Sequence, residues 1–178
     1  INYGFGIPDA VAKTVASRGE SDRYFQTIEH GTYGGTLLDG TSFGYARHAT
    51  AMIDAPSQFD FYSGGGLDIA FLGMGELDAE GSVNVSKLGG VTVGPGGFID
   101  IAQNARKVVF CGTFATKGVK LSVGGGMLTV DQPGEVRKLV PSVDQITFSG
   151  PQAVKSGQEV VYVTERAVFR LTSEGLVL

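Results

Sequence analysis

An α/β fold with antiparallel hairpins added at its C-terminal end is the class the sequence predicts, and three observations predict it. The run Leu67-Asp68-Ile69-Ala70-Phe71-Leu72-Gly73 is continuous, apolar, of strand length and bounded by glycines, which marks a central strand buried on both faces. A helix-like stretch over 56–63, closed by Gly64-Gly65-Gly66, precedes it, and helix followed by strand is the repeating unit of an α/β sheet. From Thr113 onward the pattern turns to short β segments separated by glycine turns, as antiparallel hairpins require.

At 178 residues the chain is expected to form one domain, 1–178, with a substantial core. Its 28 glycines are about twice ordinary usage and follow no collagen-like period, so they read as turns in a compact fold. A net charge of −4 without any Lys/Arg cluster argues against nucleic acid as a partner. The single cysteine, Cys111, lies in the apolar run 107–112 and reads as a buried strand residue that forms no disulfide within the chain. No apolar run reaches membrane-spanning length and the start has no basic n-region, so no membrane partner is expected and a cytoplasmic location is the default. The chain begins Ile1-Asn2-Tyr3-Gly4, like a strand running into a loop, and is expected to be a piece of something longer.

Taken in order, 2–8 is a Gly-rich loop that opens a helix over 8–16, where proline suits the first turn, Val11, Ala12 and Val15 share a face and Gly19 ends it. An alternating strand over 24–28 then delivers Glu29 to the Gly-rich stretch His30-Gly31-Thr32-Tyr33-Gly34-Gly35. The acidic turn 76–81 reads as a solvated face and 82–86 as an edge strand. A second glycine cluster, 89–97, leads into a helix over 98–104, and 108–111 is another buried strand. Short β segments follow at 119–123, 127–130, 145–148, 160–164 and 167–171. His30 and His48 are the only histidines, and no His-Glu-x-x-His or Cys-x-x-Cys spacing exists, so no metal is expected.

Two Gly-rich helix openings and a Gly-flanked carboxylate are the parts an acyl-transfer site needs, since bare amides can donate to an oxyanion while the carboxylate attacks. The same residues also suit a solvated Glu29 before a tight turn, with glycines serving helix–strand packing.

Five stretches, taken together and in order, resemble the family I coenzyme A transferases, specifically the C-terminal half of the single-chain acetate, propionate or acetoacetate type. They are 2–8 (NYGFGIP), 29–34 (EHGTYG), 71–85 (FLGMGELDAEGSVNV), 94–100 (GPGGFID) and 163–169 (VTERAVF). The resemblance implies a three-layer α/β/α mixed sheet of the CoA-transferase/isomerase-like type. It implies Glu29 as the covalent nucleophile, with His30 where relatives often have Ser or Asn. It further implies Gly96 and Gly97 as backbone donors to the oxyanion, and Gly31, Gly34, Gly35, Gly73 and Gly94 along the substrate or CoA path. Coenzyme A is then a substrate and no cofactor is held permanently. The implied partners are a short-chain acyl-CoA, a carboxylate, an N-terminal CoA-transferase half and further copies in a homo-oligomer; without the other half the chain is expected to lack full activity.

A glutamate with an ordinary pKa of about 4.3 is ionised at neutral pH and needs no activating histidine. The expected route is double displacement through a glutamyl-CoA thioester. A hydrolase of the same fold and a non-catalytic sugar-phosphate binding domain are the alternatives. Tyr33, Phe43, Tyr45 and Met52 are candidates for the acyl-pocket wall, or for core.

Overall fold

The computed structural model describes residues 1–38 and 40–178. Nine strands form the principal sheet: β1 (Asn2–Tyr3), β2 (Thr27–Ile28), β3 (Thr32–Tyr33), β4 (Ala51–Met52), β5 (Ile69–Gly73), β6 (Lys107–Cys111), β7 (Glu159–Val163), β8 (Val168–Thr172) and β9 (Gly175–Val177). Their spatial order is β9-β8-β7-β6-β5-β1-β2-β3-β4. The five central strands, β7 through β2 in that order, pair parallel, and each edge is extended by antiparallel strands.

Helices α1 (Asp9–Ser17), α2 (Ala55–Ser63), α3 (Phe98–Asn104) and α4 (Gly150–Ser156) make the crossovers. Right-handed connections put a helix on opposite faces when the chain moves in opposite directions along the sheet. From β1 the chain moves outward to β2 through α1, then reverses past β1 to β5, β6 and β7 through α2, α3 and α4. One face of the sheet, Ala70, Leu72, Val108, Phe110, Val160 and Tyr162, accordingly packs against Tyr62 of α2, Ile101 and Ala102 of α3 and Ala153 of α4. Three layers result, with α1 alone on the other side. At the centre Phe110 meets three rings, Phe148 at 5.0 Å, Tyr162 at 5.3 Å and Phe98 at 5.8 Å between centroids.

Several expectations need correction. The strand ahead of Glu29 starts at Thr27, because Ser21–Arg23 winds into a 3-10 turn and Phe25 stays 63% exposed. Residues 145–148 do not pair as a hairpin strand; Phe148 bridges singly to Val83. The helix α4 follows instead and brings the 159–163 strand in parallel to β6, while its other edge forms the expected hairpin with β8. The acidic turn is not a solvated face throughout. Asp78 is buried and accepts hydrogen bonds from the Glu80, Ser82 and Val143 N–H groups, and Glu76 accepts from the Asn84 side chain and the Asp144 N–H. Those carboxylates hold 82–86 inward, so Val83 and Asn84 are buried and pair with Glu76–Leu77 apart from the principal sheet. Among the described residues no helix is long and apolar enough to cross a membrane.

Candidate active site

The reversal of strand order falls between β1 and β5. In an open parallel sheet the chains leaving the C-terminal ends of two such strands diverge to opposite faces and leave a crevice between them. A cleft of about 690 Å³ opens there, lined by Gly4 and Phe5 from the end of β1, Gly73 and Met74 from the end of β5, and Glu29 from the end of β2. The Gly96–Gly97 turn ahead of α3 closes one side.

Glu29 is held by a short hairpin. Ile28 pairs with Thr32 across it, and the Gly31 N–H donates to the Ile28 carbonyl at 2.9 Å, which leaves Glu29 and His30 at the tip. Gly31 takes φ +98, a left-handed turn position that glycine adopts without a Cβ penalty. Behind the hairpin the Thr27 hydroxyl and the buried Tyr62 hydroxyl lie 2.7 Å apart, and the Asn2 amide donates to the same Tyr62 oxygen at 3.2 Å. That buried network ties β2 to β1 and α2 two residues ahead of the carboxylate.

The carboxylate rests against Gly97. A Cβ at position 97 would lie 2.6 Å from Glu29 Oε2 and 2.6 Å from Cζ of Phe59. Gly97 itself has φ −78, ψ 0, available to any residue, so glycine is needed there for room. Gly96 is the reverse case, with φ +55 and open space around its Cα. Among the described residues neither the Gly96 nor the Gly97 N–H donates to another backbone carbonyl.

Burial pushes the Glu29 carboxyl above its ordinary value, and the neighbouring His30 partly opposes the rise. The sequence expectation of an unperturbed acid is corrected on this point. A carboxylate short of solvation is a stronger base and a stronger nucleophile once ionised.

The sequence-derived glycines divide. Gly73, Gly96 and Gly97 line the cleft with Glu29. Gly31, Gly34, Gly35 and Gly94 are not among the lining residues. A side chain at Gly31 would strike the Ile53 carbonyl, at Gly34 the Thr50 hydroxyl and at Gly35 the Arg47 carbonyl, so these three let the 46–53 segment lie close on the hairpin. Of the four wall candidates, Phe43 lines the cleft, whereas Tyr33 is buried and Tyr45 and Met52 are largely exposed. Sequence reasoning missed Phe5, and it missed the cationic wall of Lys117, Arg137 and Lys138 that ends the cleft beyond Met74. Lys138 Nζ donates to the Met74 carbonyl at 3.2 Å, and its partial burial lowers its pKa. Arg137 stands on the short strand Val136–Arg137, which pairs with Ala115–Thr116 in an excursion after β6, and Lys117 and Lys138 follow directly after those two strands; nothing in the spacing of 117 to 137 signals that they meet.

Fold and site together define a doubly wound α/β unit with an underhydrated carboxylate at the switch point of its sheet. No protein-family model matches the chain. It is 42% identical over 175 residues to the acetate CoA-transferase YdiF of Escherichia coli (strain K12), a match covering 98% of this chain and 33% of that protein. It is 44% identical over 176 residues to the caffeate CoA-transferase of Acetobacterium woodii, covering 96% and 33%. The crystal structure of YdiF from Escherichia coli O157:H7 superposes with a TM-score of 0.89 at 42% identity, covering 98% of this chain and 33% of that one. The AibA/AibB decarboxylase, at 22% identity and a TM-score of 0.69 over 98% of this chain and 67% of that one, shares the fold alone. The chain belongs to the family I coenzyme A transferases and spans about a third of the length of the curated relatives it matches.

Proposed function

We propose that this chain carries the nucleophile of a coenzyme A transferase, and that Glu29 is that nucleophile. The observation that carries the reading is the contact of the Glu29 carboxylate with the Cα of Gly97 in a cleft at the sheet's switch point. A carboxylate oxygen attacks the acyl-CoA carbonyl, and collapse of the tetrahedral oxyanion expels CoA thiolate and leaves an acyl-glutamyl anhydride. The thiolate then attacks the Glu29 carbonyl, releasing the first carboxylate and forming a glutamyl-CoA thioester. An incoming carboxylate reverses both steps and leaves as the new acyl-CoA. The Gly96 and Gly97 N–H groups suit the oxyanion of each tetrahedral step, and such a donor lowers the barrier by roughly 3 to 4 kcal/mol.

YdiF is described in a thioester complex with CoA at 40% identity to this chain, which supports a thioester route here. The named relatives act on acetate in one case and caffeate in the other, so family membership leaves the acyl group open. Coenzyme A as a substrate, a second CoA-transferase half for full turnover, a homo-oligomer and a cytoplasmic setting belong to the same proposal.

Incubating the full-length protein with an acyl-CoA and digesting it should yield the Glu29 peptide with the added mass of CoA. Glu29→Ala should give no adduct and no exchange into acetate. Retained exchange in that variant would remove the assignment.

A further inference from the structure

The C-terminal ends of the parallel strands run in a line, β2, β1, β5, β6. Glu29 stands at the first of these, and the chain leaving the last, whose end is three strand spacings or roughly 14 Å from the end of β2, leads on to the wall of Lys117, Arg137 and Lys138. The cleft therefore has a reactive end and a cationic end. A CoA thioester carries all its phosphates on one side of the sulfur, so attack at Glu29 with the phosphates toward the lysines leaves the acyl group at the Glu29 end.

At that end the wall is aromatic. The Phe5 and Phe43 rings meet edge to face at 5.5 Å, and Phe43 meets the His30 ring edge to face at 6.3 Å. The three rings form one surface that reaches the residue next to Glu29. Its placement is fixed from below: a Cβ at Gly44 would lie 2.8 Å from His30 Nδ1, and Gly44, at φ +105, leaves that space to the imidazole. Yet Phe5 is 65% exposed, a large ring left on the cleft wall one strand from the nucleophile. An acetyl group is too short to cover it. A flat, conjugated acyl group is the kind of occupant that would stack on such rings and take Phe5 out of water.

Resting on the transfer chemistry at Glu29, we propose that the acyl group this site accepts is planar and aromatic, of the arylacrylyl or aroyl class, and that Phe5 and Phe43 are the side chains that select it. A ring–ring contact of this kind adds a factor of about two to ten beyond simple burial.

The test compares kcat/KM of the full-length protein for trans-cinnamoyl-CoA and butyryl-CoA, with acetate as acceptor. Preference for the cinnamoyl substrate by about tenfold is expected. Phe5→Leu and Phe43→Leu keep an apolar side chain and remove the ring, and each should lower the ratio about threefold or more with little change in melting temperature. A purely structural role would depress both substrates together and leave the ratio intact. A wild-type ratio at or below one, or a ratio unmoved in both variants, overturns the subsite and points to Phe5 as a contact for another protein surface. Trapping the Glu29 thioester separates the failures: an adduct from butyryl-CoA with no aromatic preference sinks the subsite alone, whereas no adduct from either substrate sinks the transfer reading and the subsite with it.

Discussion

At position 97 a single hydrogen in place of a methyl group decides where the Glu29 carboxylate can rest. Gly97→Ala leaves an allowed backbone but sets a methyl 2.6 Å from Oε2, so the carboxylate must swing out of the cleft. A displacement of about 1 Å of an attacking atom can cost about a hundredfold, and we expect kcat to fall by at least that much, measured as the rate of adduct formation on mixing with acyl-CoA. Phe59 is also crowded, so a moderate loss in melting temperature accompanies it. This contact was not legible in the sequence. Glu29 itself was, because a strand that runs into glycines announces a side chain delivered to an edge. That Gly97 stands opposite depends on two loops from different parts of the chain closing on one crevice, and glycine reads the same whether it serves a turn or makes room for a neighbour.

The helix α4 carries a side-chain cap, a proline start and a glycine stop, signals that sequence reasoning looks for. Ser149 caps it by accepting from the Gln152 N–H at 3.3 Å, Pro151 sits in the first turn, and Gly157 closes it in the left-handed conformation. The expectation of continuous β structure after residue 113 passed over these because the segments around it are β-rich. The core strands and α1, α2 and α3 were readable from apolar runs, proline starts and glycine stops. The buried Asp78 was not, since it is held by N–H groups from the far side of its turn and from Val143. Ser149→Ala should cost about 1 kcal/mol, the usual value of a side-chain cap. Chemical denaturation measures it, and an unchanged midpoint would mean that the contact of α4 with β7 and β8 holds the helix without its cap.

On the scale of the whole molecule, the site is purchased against stability. The folded protein raises the Glu29 pKa by burying it, so between the unfolded and folded values the native state holds more protons than the unfolded chain. Stability therefore falls as pH rises through that window, and above it the ionised carboxylate is a standing cost. Glu29→Gln should raise the melting temperature at neutral pH. The gain should shrink to nothing below the ordinary carboxylate value of about 4.3, where both states are protonated. Thermal scans of the two proteins at several pH values test it, and a gain that persists in acid would show that charge is not its source. The hairpin tip of residues 29–31 adds a constraint of another kind. One residue inserted after Ile28 would push the acid about 3.3 Å further along and turn it to the other face of the sheet. Length at that bend is thus as tightly constrained as the glycine at position 31, and a homologous chain with a gap or insertion there no longer presents the acid to the cleft.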